Sequence, residues 1–400
     1  MKITEKTYGF IVTFIYLSFA LDSLLKINIS IKIHVGILLI LLFNFIYFLT
    51  TSTKNKVKIY KSDVWLIIFG IYILINGIVK VGFSSLFIFF YFFLALNVYY
   101  FLSKNIKFID EKVLYSFHIL LISTGLLQFF LVLLFDYQLN FLGFEHYNKG
   151  SSVTLRLRGF FVEPNWFAIA FTFNTFLLFK NDAISFIKKH KILFLFTIIV
   201  FILNGSFGTL AVLIVTYGNK YLKKNVIIAV LLALLAFVGF YFIMQKRANF
   251  KKGKSGIELF NYYSRTEPFK RVLNYYEENP KVNIFFGNGF GSWGEKGVSN
   301  NLSVLNYKIN PMSRDSSELH VFLFEIGLLG LFLFILDILT LYKNNLKSNF
   351  YIKGAIFLFI VSFLLYPIFK FYMYMVYYFL IRIYIRENKK DILKKKQING

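Results

Sequence analysis

Long apolar runs alternate with short lysine-rich breaks along most of the chain. The runs cover about 8–25, 33–50, 64–79, 83–102, 113–135, 160–179, 192–204, 206–219, 225–245, 318–342, 350–369 and 371–386. Continuous runs of this length, without period-two alternation, predict membrane-spanning α-helices and argue against a β-barrel. The pair 192–204 and 206–219 is short and joined by Asn204-Gly205-Ser206, so it reads as two spans, one bent element or a re-entrant hairpin. The expected fold class is an all-α polytopic membrane protein of about 12 transmembrane helices with one long outer-face loop. Residues 1–245 would hold nine helices, 246–317 the loop, 318–386 three more helices, and 387–400 a basic tail.

Charge placement orients this segmentation. Lys54, Lys56, Lys58, Lys61, Lys104, Lys107 and Lys112 fall in alternate breaks, as do Lys180, Lys188, Lys189, Lys191, Lys220, Lys223 and Lys224. Lys343, Lys347, Lys353 and the tail KKDILKKK continue the series, while Lys26, Lys32, Lys80 and Lys370 are scattered on the other side. The positive-inside rule then predicts both termini in the cytoplasm, with the 246–317 loop and residues 156–163 on the outer face. No internal repeat suggests the inverted halves of a transporter.

Composition agrees. Hydrophobic residues make up 57% of the chain, which has 53 Phe and only 5 Pro. The mean hydropathy is +0.62, above what a soluble domain carries. The net charge of +25 raises nucleic acid as a partner, but basic cytoplasmic loops over anionic lipid account for it better. With no cysteine, thiol chemistry and disulfides are excluded. The first apolar run is followed by further spans and not by a small-residue cleavage site, so no cleavable signal is expected.

Within the long loop, KRANFKKGKSG reads as a basic linker. TEPFKRVLNYYEENP reads as an amphipathic helix, with Thr266 as N-cap, Pro268 in the first turn and Pro280 beyond the end. Phe269, Val272, Leu273 and Tyr276 form its apolar stripe, suited to resting on the membrane surface or covering a cavity. The run GNGFGSWG formally matches G-x-G-x-x-G through Gly289, Gly291 and Gly294. It lacks a strand–helix unit around it, so tight turns folding the loop back are the better reading.

Two groups of residues stand out as candidate chemistry. Arg156, Arg158 and Glu163 precede Pro164, which suits the first position of the sixth helix. Guanidiniums two residues apart on an extended segment point the same way and can fork onto phosphate oxygens. Glu163 could neutralise an arginine or act as a base, and the plainer alternative is juxtamembrane arginines with a first-turn glutamate. His320 stands at the start of the tenth helix, with Glu318 and Glu325 seven apart on another face. A histidine there is suited to take a proton near neutral pH, or is an ordinary interfacial histidine. His34, His118, His146 and His190 are weaker candidates, and none forms a metal-binding spacing. Asp22 and Asp337 are intramembrane carboxylates with no partner assignable from sequence.

These residues resemble the O-antigen ligase and O-antigen polymerase superfamily of bacterial inner-membrane glycosyltransferases. RLRGFFVEPN (156–165) resembles its Arg-x-x-Gly-Phe-x-Glu/Asp-Pro-Asn motif, and LNGSFGTLAVL (203–213) its Thr-x-Ser-Arg-Gly helix start, with Phe207 in the arginine place. SRTEPFKRVLNYYEENPKVNIFFGNGFGSW (264–293) is similar to its loop helix followed by Asn-Pro and Gly-x-Gly. ELHVFLFEIGLLGL (318–331) is similar to its His-Asn-x-x-Leu-x-x-x-x-Gly-x-x-Gly, with Val321 in the asparagine place. The order is the family's, across roughly the second half of the chain.

The resemblance implies a GT-C-like membrane enzyme that needs no metal or cofactor. Its arginines would be Arg156 or Arg158 and Arg265 or Arg271, its histidine His320, with Arg314 added to the binding set and Glu163 to the catalytic one. The implied donor is an undecaprenyl-diphosphate-linked oligosaccharide at the outer face of the inner membrane. The expected activity is polymerisation of lipid-linked repeats, with membrane lipid and a chain-length regulator as the other expected partners. A ligase acting on lipid A core or protein, and a transporter or flippase, are the alternatives.

Overall fold

The computed structural model describes residues 5–22, 24–28, 32–50, 60–81, 86–135, 156–180, 182–222, 266–280, 282–303, 314, 317–345, 349–366, 368 and 372–398. Helices α1 (Glu5–Ser18) and α2 (Val35–Thr50) flank a small hairpin of β1 (Lys26–Asn28) and β2 (Lys32–His34), paired antiparallel with Lys26 opposite His34. Then come α3 (Val64–Val81), α4 (Leu86–Asn105), α5 (Glu111–Phe135), α6 (Pro164–Phe179), α7 (Ala183–Lys189), α8 (Lys191–Asn204) and α9 (Phe207–Leu222). The loop helix is α10 (Thr266–Glu278), followed by α11 (Glu318–Asn344), α12 (Phe350–Leu365) and α13 (Tyr372–Ile398).

The architecture is all-α, apart from the hairpin, and of membrane-protein type. Among the described residues, Lys61–Val81, Glu111–Phe135 and Glu318–Asn344 are long and apolar enough to cross a bilayer. Phe48 is 79% exposed and Ile192 74% exposed, so large apolar side chains face outward where lipid would cover them. The apolar runs of the sequence coincide with helices, except for 225–245, which lies outside the described residues. The pair at 192–219 is two helices meeting at Gly205. Two details differ from the sequence reading. Asp182 accepts from the amides of Ile184 and Ser185 and so caps the short helix α7 inside an expected loop. The basic tail continues α13 to Ile398, because its Lys, Glu and Leu residues favour helix and no Pro or Gly interrupts them.

Helix α6 is the centre of the bundle. Every residue from Trp166 to Phe179 is buried, and α5, α9, α12 and α13 pack around it. Polar groups tie it to its neighbours: Asn174 donates to the Leu114 carbonyl at 3.0 Å, and Tyr377 donates to that of Ala170 at 3.1 Å. The carboxylates of Asp337 and Asp22 also have partners. Arg382 on α13 bonds Asp337 at 2.6 Å and Asp63 at 3.2 Å, tying α13, α11 and the start of α3 together. Asp22 pairs with Lys26 at 2.7 Å.

Helix α11 is broken. Gly327 adopts φ 65° and ψ −168°, which frees backbone groups on both sides. The glycine loop satisfies them. The amides of Asn288 and Gly289 donate to the carbonyls of Phe324 and Glu325, both at 2.8 Å. The amides of Leu328 and Leu329 donate to those of Ile284 and Phe285, both at 3.0 Å. Tyr276 donates to the Leu323 and Phe324 carbonyls, and Tyr72 on α3 to that of Ile326 at 2.7 Å. Gly287 and Gly327 cross backbone to backbone, and a Cβ at Gly287 would stand 2.5 Å from the Glu325 oxygen. The predicted turns therefore form, with Gly287, Gly289 and Gly291 at positive φ. The stripe of α10 closes the assembly: Val272 and Tyr276 are buried with Trp293, Leu302, Val321, Leu323 and Phe324.

Gly327→Ala is expected to destabilise the protein severely. Positive φ with ψ near 180° is a backbone region open essentially to glycine alone and costs about 1–3 kcal/mol for another residue, and the clash with the 284–285 backbone adds to it. Thermal unfolding in detergent measures this, and an unchanged midpoint would contradict the crossing.

Candidate functional site

The segment before α6 is held by the end of α8. Leu157 donates its amide to the Leu203 carbonyl at 3.0 Å, and Asn204 returns its side-chain amide to the carbonyls of Leu157 (2.6 Å) and Pro164 (2.8 Å). The RLRGFFVEPN and LNGSFG stretches, apart in sequence, therefore form one unit. Leu157 is fully buried, which fixes the register. Pro164 opens α6 as its composition demands, with Glu163 as N-cap residue and its carbonyl accepting from Trp166 and Phe167.

The two arginines take different partners. Arg156 donates from Nε to the Asn204 carbonyl at 2.8 Å and from Nη2 to Asn165 Oδ1 at 3.1 Å. Arg158 is buried and donates to the Val162 carbonyl at 2.6 Å. The extended lead-in ends at Arg158, because the chain turns at Gly159 and Phe160. Arg156 and Glu163 are half-buried and stand at the mouth of α6.

A second group forms at the start of α11. Arg314 bridges Glu318 at 3.0 Å and Glu325 at 2.9 Å, with its guanidinium 5.5 Å from the Phe290 ring centre. The seven-residue spacing that puts both carboxylates on one helix face lets a single arginine reach both. Burial disfavours the guanidinium charge, but Glu318 and Glu325 outweigh it, so the pKa of Arg314 is raised. Glu325 also accepts from the Trp293 amide at 3.0 Å. His320 is fully buried, with Nδ1 3.0 Å from Ser317 Oγ and its ring edge-on to Trp293 at 4.9 Å.

Tyr372 at the start of α13 stacks against Tyr91 on α4, with ring centres 6.5 Å apart. An apolar cavity of about 370 Å³ lies beside Tyr91 and Tyr374, between α3, α4, α11 and α13. Leu66, Phe69, Ile73 and Phe379 line its walls, and it runs from Asp63 and Tyr99 at one end to Phe290 and Tyr91 at the other.

The remaining candidates are placed elsewhere. Arg271 pairs with Glu267 at 3.2 Å and donates to the Asn301 carbonyl at 3.0 Å, which fastens α10 to the glycine loop. Arg265 and His146 lie outside the described residues. His34 accepts from the Gly36 amide at 2.9 Å, and His118 bonds Thr197 at 2.9 Å and stacks on Phe171, so both are packing residues. Among the described residues, no three His, Cys, Asp or Glu side chains converge as metal ligands. Reading the sequence missed Asn204, whose only signal was its place in a short polar break. It also missed Lys26, although the Asp22–Lys26 spacing of four was visible. No family model matches the chain, and no curated protein does.

Removing Arg314 leaves two buried carboxylates facing each other. Arg314→Leu is expected to cost about 3–5 kcal/mol, as for other broken buried pairs. Adding Glu318→Gln should recover part of the loss. Thermal unfolding of the single and double variants tests this, and a single variant as stable as the parent would contradict it.

Proposed function

We propose that the chain is a metal-independent glycosyltransferase of the bacterial inner membrane, joining lipid-linked repeats of a surface polysaccharide. The reading includes about twelve spans in a GT-C-like arrangement, both termini in the cytoplasm, and α10 with the glycine loop on the outer face. What supports it most is one juxtaposition. The arginine pair stands at the start of α6, with Arg156 held by Asn165 and the Asn204 carbonyl, and the same bundle holds an apolar cavity suited to a lipid chain.

In this reading the undecaprenyl-diphosphate donor brings its diphosphate to Arg156 and Arg158. Arg156 stabilises the departing diphosphate, and Asn165 and Asn204 hold its guanidinium in place beforehand. Arg314 is a poor diphosphate ligand, since it already bridges two carboxylates. The acceptor hydroxyl loses its proton as it attacks the anomeric carbon. Glu163 is half-buried and accessible for that proton, whereas His320 is enclosed beneath Trp293. Exposure therefore favours Glu163 as the base, with His320 holding the start of α11 against Trp293. A ligase would share this site and differ in its acceptor.

Purified protein in nanodiscs, given synthetic lipid-linked repeats and a chelator, tests the reading. Wild type should produce a ladder of products, and Glu163→Gln should slow it by roughly 10²–10⁴-fold. Arg156→Ala should slow it too, while His320→Gln retains measurable activity. No ladder from wild type would overturn the polymerase reading, and transfer only to added lipid A core would favour the ligase.

A further inference from the structure

The mouth of α6 has a cation that the arginine motif does not contain. Lys26 comes from the β1–β2 hairpin, more than a hundred residues upstream, and its side chain is only 12% exposed. Its Nζ stands 2.7 Å from Asp22 Oδ2 and 5.4 Å from the centre of the Trp166 ring. Trp166 follows Asn165, the residue that Arg156 holds at 3.1 Å. Arg156 and Lys26 therefore bracket the first turn of α6 through neighbouring residues, with Arg158 on the lead-in.

A buried ion pair is weak evidence of stabilisation. Apolar residues of similar volume often serve packing as well or better, so fastening the hairpin to the end of α1 does not by itself call for an ion pair. Its position over the Trp166 face is explained if the ammonium is used by something that enters there. Lys26 adds a third cationic side chain beside the first turn of α6, and lysine supplies a compact charge where the arginines supply flat guanidiniums.

We infer that Lys26 is a third ligand of the anion that binds at the mouth of α6, and that Asp22 holds it there in the empty state. The inference rests on the diphosphate reading above and names a residue which that reading does not use. On binding, the ammonium exchanges its carboxylate partner for a phosphate oxygen. Trp166 keeps it aimed throughout, because a cation is attracted to the ring face.

The test separates a ligand from a structural pair by sign. Farnesyl diphosphate serves as the probe, with affinity measured by thermophoresis on full-length protein in nanodiscs. Lys26→Gln should weaken binding by about tenfold, corresponding to about 1.4 kcal/mol. Asp22→Asn should bind at least as tightly as wild type, since the competing carboxylate is gone, and Lys26→Arg should stay within threefold. Both Lys26→Gln and Asp22→Asn break the same pair, so their thermal midpoints provide the folding control. Parallel weakening in both variants, or no change in Lys26→Gln, would overturn the inference. Loss of polymer formation with diphosphate binding intact would instead count against the polymerase reading.

Discussion

A helix that breaks inside an apolar bundle must find partners for the amides and carbonyls it releases, because no water is there to take them. In this protein that constraint falls on α11 at Gly327, and the 284–289 backbone meets it. The rest of the loop side follows. Two glycines are needed where the backbones cross, at Gly287 and Gly327, and the loop must stay close enough to donate and accept. Trp293 is thereby brought over His320, and its amide onto Glu325. Helix α10 then has a surface for its apolar stripe. The loop is part of the helix it covers, not a separate appendage.

The electrostatics divide along the same geometry. Under the loop, the charge of Arg314 is fully compensated by Glu318 and Glu325. At the opposite end of α11, Asp337 and Asp63 compensate Arg382 in the same way. In both cases a buried arginine bridges two carboxylates: Arg382 links α13 to α11 and the start of α3, and Arg314 fastens the segment before α11 to that helix. At the mouth of α6, Arg156 donates to the Asn204 carbonyl and to Asn165 Oδ1, and Arg158 to the Val162 carbonyl, so both guanidiniums are held in place beside the helix start. The proposed anion site is assigned to α6 and not to Arg314 because Arg314 is clamped between two carboxylates.

Local features were legible in the sequence. Pro164 marked the first residue of α6, and the 269–276 stripe marked the buried face of α10. The glycine run marked tight turns, because φ > 0 has few other solutions. What could not be read were pairings between distant segments. Nothing in GNGFGSWG names Gly327 as its partner, and nothing in RLRGFFVEPN names Asn204. Asp337 and Arg382 stand 45 residues apart on different helices, so no periodicity links them. The Asp22–Lys26 pair has ordinary helical spacing, but it crosses from the end of α1 into a hairpin, where a helical rule gave no reason to look.

Amide hydrogen exchange tests the central claim most directly. Peptides covering 284–292 and 323–330 should exchange together and as slowly as the buried helix α6, since each donates into the other's backbone. Exchange of 284–292 at the rate of an exposed loop, with 323–330 remaining protected, would show that the break in α11 is satisfied by something else and would contradict the account.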